Sequence, residues 1–296
     1  LPIRVIAEDG SEKIYNVNVT RKNPGESVSI FKKEYEVIDA EPTLTTSSNN
    51  TSDESGLYKS TATNTGEPTY YFRGNVTNNY VSFAGFTWRI VRINEDGTIR
   101  IVMQDGINSN ANIAFNSNNN NYTYMYYTNS QAKTQLESWY QTNIGSKSDL
   151  ASKIASGVYY CEQAKAKYDD SWTSGNATMT TYNKYTPDFK CSSDGNGKGQ
   201  FNASVGLLTY DEVVYAGGYY GQNNNNYYLY NNTYFWTISP AGFASGNSYV
   251  WDVSTAGHIG NLTVYNTLAV RPVIILAADT LATGSGTSSD PFVVES

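Results

Sequence analysis

Alternation of apolar and polar residues predicts short β-strands along most of this chain. In residues 1–23 the alternation runs on both sides of the Asp-Gly dipeptide at position 9, which is typical of a tight hairpin turn. A second hairpin is predicted where residues 86–93 and 98–103 flank the Asp-Gly dipeptide at position 96. Further strands are predicted at residues 27–38, 69–73, 80–83, 205–208, 234–238, 249–253, 257–262, 270–276 and 290–294.

Apolar residues at helical spacing predict two main helices. In residues 130–143 the apolar side chains recur three or four positions apart, and Ser130 is placed to cap the first turn. Residues 209–216 carry Thr209 at the cap position and Glu212 three residues later, which is a capping box, and two glycines follow the last turn. A shorter helix is predicted at residues 149–156.

Changes in composition divide the chain into three parts. Residues 1–23 form the predicted hairpin, which must pack on another element because a lone hairpin is marginal in water. Residues 24–56 include a stretch rich in Thr, Ser and Asn without periodicity, which indicates a linker or an extended segment. We expect one larger domain in residues 57–296. Asn and Tyr dominate two of its loops, at residues 108–129 and 219–230, and a third loop is predicted at residues 162–200.

The composition is not that of an ordinary cytosolic protein and indicates a neutral polar surface. Only 16% of the residues are charged, whereas 14% are aromatic and 26 are Tyr. Low charge with many aromatic residues argues against disorder. The net charge of -7, without clustered Lys and Arg, argues against a nucleic-acid partner. No apolar run is long enough to span a membrane, and we expect any signal peptide to have been removed or to lie outside this sequence.

The two cysteines, Cys161 and Cys191, are 30 positions apart. This spacing fits neither a redox pair nor a zinc knuckle, and two cysteines are too few for a disulfide framework. They form either one disulfide or two unrelated thiols, and we assign no catalysis to them. A disulfide that closes a loop of this length would contribute roughly 3 kcal/mol.

The order of several motifs in residues 57–295 resembles a domain repeated in surface proteins of low-GC Gram-positive bacteria. The motifs are FAGFTWRIVRINEDGTIRIV, LESWY, VGLLTYDEVVYAGG, YLYNNTYFWTISP, VWDVSTAGHIG and LAVRPVIIL. Their C-terminal part is similar to the C-type-lectin-fold variable domains that retroelements diversify, in a superfamily that includes formylglycine-generating-enzyme-like domains. The run AEDGSEKIYNVNVTRKN near the N-terminus resembles the closing hairpin of cadherin-like β-sandwich modules; the alternative is an edge strand paired with the next domain.

The resemblance implies a mixed α+β, C-type-lectin-like fold with small antiparallel sheets and two main helices. It also implies a binding surface held on a rigid frame near the C-terminus. The frame positions would be Trp236, Pro240, Trp251, Val253, Gly257, Val264, Val270, Arg271 and Pro272. The ligand-binding positions, which vary in relatives, would be Ala241, Gly242, Phe243, Asn247, Tyr249, Asp252, Ser254, His258, Gly260, Leu262, Tyr265 and Leu268.

The residue types at the ligand-binding positions agree with this interpretation. Adenine-directed mutagenesis of AAC or AAT codons yields Asn, Tyr, His, Asp, Ser, Ala, Gly, Leu or Phe, but not Lys, Glu, Gln, Trp or Met. Every ligand-binding position carries a residue from the first set. A chain already poor in Lys and Glu would often meet this condition by chance, so active diversification and an undiversified relative both stay open.

Residue spacing indicates no catalytic or metal site. The single histidine, His258, has no Cys, Asp or Glu at catalytic spacing, and no cysteine follows Cys191, which argues against formylglycine-generating activity. Residues 194–199 resemble the start of an EF-hand loop, but Lys198 and Val205 occupy two positions that need oxygen ligands. A structural calcium ion elsewhere stays open without a motif. We expect no cofactor, and no Gly-rich phosphate loop is present.

The leading hypothesis is an extracellular, non-enzymatic module for ligand binding or adhesion, secreted or displayed at the cell surface. Tyr gives large contact area with little rotamer freedom to lose, and Asn, Ser and Gly give adaptable hydrogen bonds, as in antibody paratopes. The loop at residues 219–230 is expected to flank the binding surface, unless its tyrosines are core residues. The ligand would be an extracellular protein or a glycan. The alternatives are a structural stalk or filament subunit, in which residues 1–23 pair with a neighbour, and less favourably an enzyme.

Overall fold

The computed structural model describes residues 2–6, 12–16, 35–42, 44, 53–167, 180–181, 185–191, 199–280 and 282–294, with the backbone alone at 2–6, 12–16, 167 and 180–181. The fold is mixed α+β, with many short strands and few helices, as predicted. None of the helices in these ranges has the length and apolar character of a membrane span.

Twenty strands are assigned in the described residues. In chain order they are β1 (Pro2–Ile6), β2 (Glu12–Asn16), β3 (Val37–Ile38), β4 (Gly56–Ser60), β5 (Thr69–Arg73), β6 (Tyr80–Phe83), β7 (Phe86–Ile93), β8 (Ile99–Met103), β9 (Ile113–Ala114), β10 (Tyr159–Cys161), β11 (Ala166–Lys167), β12 (Thr180–Thr181), β13 (Gln200–Asn202), β14 (Phe235–Ala244), β15 (Asn247–Val253), β16 (Ile259–Thr263), β17 (Thr267–Leu268), β18 (Val273–Leu276), β19 (Ala282–Thr283) and β20 (Phe292–Val294).

Nine of these strands form the main sheet, which is built around β7. One side of β7 pairs with β6 and β5, the other side pairs with β8, and β18 pairs with β8. The predicted hairpin of β7 and β8 is confirmed. Both faces of β7 are covered: Trp88 and Ile90 are buried on one face, and Arg89 and Val91 are buried on the other. Burial on both faces makes β7 the centre of the fold.

A three-stranded antiparallel sheet of β14, β15 and β16 forms the C-terminal part, and we call it the C-terminal sheet. The remaining sheets each contain two strands, and β1 with β2 forms one of them as the predicted N-terminal hairpin. Most buried apolar residues of the main sheet, the helices and the C-terminal sheet belong to one continuous core, and Tyr58, Tyr71, Phe189 and Tyr215 form a second, smaller cluster. This shared core joins the two sheets.

The helix Gln131–Tyr140, here called the long helix, begins at the predicted cap. The hydroxyl of Ser130 accepts a hydrogen bond from the Lys133 amide at 3.0 Å. Its buried side chains include Leu136 and Trp139, so the helix packs one apolar face on the core. A π-helical turn, Gln141–Gly145, continues it, and a short helix, Ser148–Ala151, follows.

The helix Tyr210–Ala216, here called the capped helix, carries the predicted capping box. Thr209 Oγ1 accepts from the Glu212 amide at 3.0 Å, and Glu212 Oε2 accepts from the Thr209 amide at 2.9 Å. Gly217 ends the helix with φ at 119°, in a region that L side chains rarely adopt. The Glu212 carboxylate also reaches the main sheet, where Arg100 Nε lies 2.5 Å and Arg92 Nε 3.3 Å from Oε1.

The disulfide, one of the two alternatives that the spacing left open, is present between Cys161 and Cys191. It joins β10 to residues 185–191, a segment whose Asp188 carboxylate lies 2.6 Å from the Lys165 ammonium. A disulfide is typical of proteins that fold in an oxidising compartment. The structure therefore agrees with an extracellular location.

Three sequence predictions are corrected by the tertiary contacts. Residues 205–208 do not form a strand; Gly206 makes only an isolated bridge to Val273, and the Tyr160 ring covers it. The predicted strand at residues 270–276 begins only at Val273. The predicted loop at residues 108–129 contains β9 and two 3₁₀ turns, Tyr122–Met125 and Tyr127–Asn129. Most of the predicted strand at residues 27–38 lies outside the described residues, which leaves only β3.

The predicted domain boundary at residue 57 stays a prediction. Strands on its two sides are hydrogen bonded, since β3 runs parallel to β4. The Tyr35 ring also packs on Phe72, with ring centroids 4.9 Å apart. Residues before the boundary therefore extend the main sheet.

We expect Glu212→Gln to lower the free energy of unfolding by about 3–5 kcal/mol, because it leaves two arginines beside an uncharged buried group. Burial raises the pKa of Glu212, but Arg100 and Arg92 outweigh burial and hold it below 4.5. The ionised carboxylate therefore stabilises the fold above that pH, and the contribution is lost as the pH falls through the lowered pKa. Urea unfolding at pH 7 and pH 3 measures both effects.

The matched control is Glu137→Gln on the long helix. Glu137 pairs with Lys133 at 2.7 Å but keeps 44% of its side chain exposed, so its loss should cost only about 0.3–0.5 kcal/mol. Equal losses for the two variants would contradict the role given to Glu212.

Candidate functional site

Buried frame residues support the C-terminal sheet. All nine frame positions implied by the resemblance are buried. The indole of Trp236 donates to the Ile113 carbonyl at 3.0 Å, and the indole of Trp251 donates to the Ala166 carbonyl at 3.3 Å. The tryptophans thus join the sheet to distant segments of the chain, which gives it a rigid support.

The predicted ligand-binding positions divide into buried and accessible residues. Five are buried and cannot contact a large ligand directly in this conformation: Ala241, Gly242, Asp252, Ser254 and Leu268. Seven keep partial or full exposure: Phe243, Asn247, Tyr249, His258, Gly260, Leu262 and Tyr265. A ligand-binding role for the accessible seven stays a prediction.

The first Asn- and Tyr-rich loop lies at the β14–β15 end of the C-terminal sheet. The Ser248 amide donates to the Asn119 carbonyl at 2.8 Å, and the Ser248 hydroxyl donates to the Asn121 carbonyl at 2.6 Å. The Val264 amide donates to the Ser248 carbonyl at 3.1 Å. Two exposed tyrosines lie next to these contacts in the chain: Tyr122, 41% exposed, follows Asn121, and Tyr265, 53% exposed, follows Val264. Sequence reasoning missed this contact, although the shared composition of the two loops was a usable signal.

The second loop, residues 219–230, lies at the other end of β15. The Asn224 amide donates to the Ala256 carbonyl at 3.1 Å, and the Tyr227 hydroxyl donates to the Gly257 carbonyl at 3.0 Å. Gly257 allows this approach: its φ is 77°, and a Cβ atom there would lie 1.8 Å from the Asn224 carbonyl oxygen. Tyr219, Tyr227 and Tyr228 are buried, whereas Tyr220 and Tyr230 stay half-buried. Three of these tyrosines are therefore core residues, and a place beside a binding surface for Tyr220 and Tyr230 stays a prediction.

These segments together form a surface without exposed charge. Residues 106–132 contain no Asp, Glu, Lys or Arg, and Asp252 is the only such residue in 213–270. Asp252 is fully buried. We call the surface of residues 116–124, 219–230 and 241–268 the neutral surface. Its accessible side chains are mainly Tyr, Asn, Ser and Thr, with Phe243 and Leu262.

Asp252 lies beneath the neutral surface, on β15 opposite Gly260 of β16. Neither carboxylate oxygen meets hydrogen-bond geometry with a donor in the described residues. Burial raises the pKa of Asp252 to about 8, and the Tyr234 hydroxyl offsets part of this effect. Asp252 is therefore largely protonated at neutral pH.

His258 connects the second loop to the β15–β16 turn. Its Nδ1 lies 3.0 Å from Ser254 Oγ and 3.1 Å from Asn223 Oδ1, and burial lowers the pKa of the imidazole. A Cβ atom on Gly260 would lie 3.1 Å from Asp252 Oδ1 and 3.7 Å from His258 Nε2, so the fold brings together an acid and a base that sequence spacing kept apart. The acid is fully buried, which leaves no room for a substrate at its carboxyl group.

The part of the chain that the structure describes contains no candidate metal-binding cluster. No group of three or more His, Cys, Asp or Glu side chains there is placed to hold an ion. The EF-hand-like residues 194–198 lie outside the described ranges.

Comparison of this chain with protein-family models, with curated proteins and with solved structures finds no match.

We expect Asp252→Asn to remove a pH-dependent loss of stability. The pKa of Asp252 in the folded protein is about 8, above the ordinary value of 3.8. The protonated group therefore makes its full contribution to the free energy of unfolding below pH 3.8, and this contribution is lost as the pH rises toward 8. The slope across this window is about 1.4 kcal/mol per pH unit for one group. Melting temperatures from pH 4 to pH 9 should therefore fall less steeply in the variant. The control Asp149→Asn changes an exposed carboxylate and should leave the wild-type slope; the same slope in Asp252→Asn would refute the assignment.

Proposed function

We propose that this chain is an extracellular, non-enzymatic binding module that uses its neutral surface for adhesion or ligand capture. In this proposal residues 57–296 form a C-type-lectin-like domain of a surface protein similar to those of low-GC Gram-positive bacteria. Residues 1–23 close a preceding β-sandwich module. The ligand is an extracellular protein or a glycan, bound through shape and hydrogen bonds.

The observation that carries the proposal is the meeting of two uncharged segments on one supported sheet. Residues 116–124 and 219–230 are far apart in the sequence, yet their backbones are hydrogen bonded to opposite ends of β15 or its turns. Solvated loops of an ordinary domain usually carry Lys, Glu and Asp. A surface that excludes them and exposes tyrosines is typical of recognition rather than of solubility.

A neutral surface favours a partner whose own contact area carries little net charge. Desolvating an unpaired charge is costly, so a charged ligand would lose hydration without gaining an opposite charge on this surface. Tyr249 and Tyr265 offer amphipathic contact area. Asn247 donates to the Ser245 carbonyl and accepts from the Asn119 amide, which leaves its amide one further hydrogen and one further lone pair for a ligand. Binding of this kind depends little on salt.

The frame positions are buried, whereas seven of the ligand-binding positions are accessible. This difference supports a surface whose residues can be substituted. Substitutions at Phe243, Tyr249 and Tyr265 alter partly or fully exposed side chains and leave the buried tryptophans in contact. Substitutions at core positions cause most of the large losses of stability. The fold therefore tolerates diversification mainly at positions whose side chains are accessible to solvent. The proposal therefore assigns ligand contact to the seven accessible positions and a packing role to the buried five.

The chemistry of the surface supports binding rather than catalysis. The imidazole of His258 is hydrogen bonded to Ser254 and Asn223, and the carboxyl group on the other side of Gly260 belongs to the neutral, buried Asp252. The Asp252 carboxyl group is out of reach of a bound molecule, so it cannot exchange a proton with a substrate. The geometry thus favours shape recognition.

The test is the triple variant Phe243→Ala, Tyr249→Ala and Tyr265→Ala. The wild-type chain is screened on an array of immobilised glycans and an array of extracellular protein domains. We expect at least one specific ligand, bound about tenfold or more weakly by the variant because aromatic contacts dominate such interfaces. The affinity of the wild-type chain should change little between about 0.05 and 0.5 M NaCl.

The matched control is Val293→Ala, which changes another exposed apolar side chain, 46% accessible, on β20 of the main sheet. This variant should bind as the wild type does. Unchanged binding in the triple variant, or binding abolished by salt, would contradict the neutral surface as the contact.

A further inference from the structure

Four polar side chains meet beside the disulfide, and we call them the lysine cluster: Lys165, Tyr185, Asp188 and Asp211. Lys165 Nζ lies 2.6 Å from Asp188 Oδ1 and 3.0 Å from Asp211 Oδ2. It also donates to the Asp188 carbonyl at 3.1 Å, so these two residues accept all three ammonium hydrogens. None of the four residues belongs to the neutral surface.

The cluster is largely shielded from water. The side chain of Lys165 is 14% exposed, and that of Asp211, in the first turn of the capped helix, is 7% exposed. One ammonium group faces two carboxyl groups, and a second buried negative charge without its own partner is costly. Burial raises the pKa of Asp211, and Lys165 offsets only part of this effect. Asp211 is therefore the carboxyl group of the cluster that favours the protonated, uncharged form.

An uncharged carboxyl group beside a lysine can be attacked by the amine, whereas a carboxylate resists attack. Burial lowers the pKa of Lys165, but Asp211 and Asp188 outweigh burial and raise it, so the resting group is an ammonium. Asp188 Oδ1 is near enough to take a proton from Nζ. Because Oδ2 of Asp211 is bonded to Cγ, the resulting amine lies close to the carbon that it attacks, in a site where orientation is already fixed.

A cavity of about 30 Å³ adjoins the reacting groups. Lys165, Asp188 and Asp211 all contribute to its lining. Its volume is enough for one water molecule, and its polar lining gives that molecule hydrogen-bond partners. The product water of a condensation between these side chains therefore has a place to go.

We propose that Lys165 and Asp211 condense after folding to form an intramolecular amide bond, with Asp188 as the general base. Nζ forms a bond to Asp211 Cγ, and one carbon–oxygen bond of the Asp211 carboxyl group breaks. Of the three ammonium hydrogens, one stays on the amide, one leaves with the Asp211 hydroxyl as water, and one stays on Asp188. The reaction consumes no oxidant and no second substrate.

Tyr185 is placed to assist the reaction. Its hydroxyl lies beside the Asp211 carboxyl group, and neither Tyr185 Oη nor Asp211 Oδ1 has a hydrogen-bond partner in the described residues. Burial and the two carboxyl groups raise the pKa of Tyr185, so the hydroxyl keeps its proton. It can donate to the oxygen on which negative charge develops during the attack.

The product is favoured by its charge and would strengthen the fold. The condensation replaces a buried ammonium and a buried carboxylate by uncharged groups, which removes the cost of keeping two ions out of water. The new bond would join the segment that follows Cys161 to the capped helix. Together with the disulfide it would cross-link the chain twice in this region.

The test is the intact mass of the full chain, measured after reduction and unfolding of a sample kept folded at pH 7 for several days. We expect a mass lower than the sequence mass by one water molecule. Tandem mass spectrometry of a tryptic digest should show Lys165 joined to Asp211, with no cleavage after Lys165. A chain of full sequence mass, or a bond from Lys165 to Asp188 instead, would overturn the proposal.

Two variants and an internal control test the roles of the groups. Lys165→Arg keeps the positive charge but cannot form the bond, so its chain should have the full sequence mass. Asp188→Asn removes the base and should slow bond formation about tenfold or more. Lys133 and Glu137 lie 2.7 Å apart on the solvent-exposed side of the long helix and should stay unlinked in the same digest. A water loss retained in Lys165→Arg, or a bond between Lys133 and Glu137, would refute the assignment to the buried cluster.

Discussion

The buried carboxylate of Glu212 is the contact on which the rest of the structure depends. It closes the first turn of the capped helix by accepting from the Thr209 amide, and it forms ion pairs with Arg100 and Arg92 of the main sheet. A charge taken out of water in this way is tolerated only if its partners are present, so helix and sheet must form together. At the other end of the helix, Arg73 donates to the carbonyls of Val214 and Tyr215, where a cation also suits the helix dipole.

The same arrangement explains why the C-terminal sheet can carry a surface without charge. Arg73, Arg92 and Arg100 lie on strands of the main sheet. Arg271, which is also buried, donates to the carbonyls of Met103 and Leu229. These hydrogen bonds, together with the packing of Trp236 and Trp251, hold the loops of the neutral surface in place. The exposed side chains of the neutral surface, such as Tyr122 and Tyr265, lie outside these buried contacts.

The parts of the fold that local rules govern were predictable. The capping box of Thr209 and Glu212, the cap at Ser130 and the hairpin of β7 and β8 each depend on residues close in sequence, and all three are confirmed. The strand predicted around Gly206 was wrong because apolar composition alone does not show that the Tyr160 ring occupies the space beside it. The candidate site was predicted only in outline, since exposure is a property of packing: Tyr249 and Asp252 lie on one strand, yet one is accessible and the other buried.

The sequence by itself determined the mixture of strands and helices, the low charge and the Asn- and Tyr-rich loops, because these follow from residue type and short-range periodicity. Only the tertiary structure decided that the two cysteines are bonded, that the loop at residues 108–129 joins the C-terminal sheet, and that His258 and Asp252 flank one glycine. Each of these is a contact between residues distant in the chain or a matter of which side of a strand is covered. Such contacts are selected by the packing of the whole core, which no local pattern encodes.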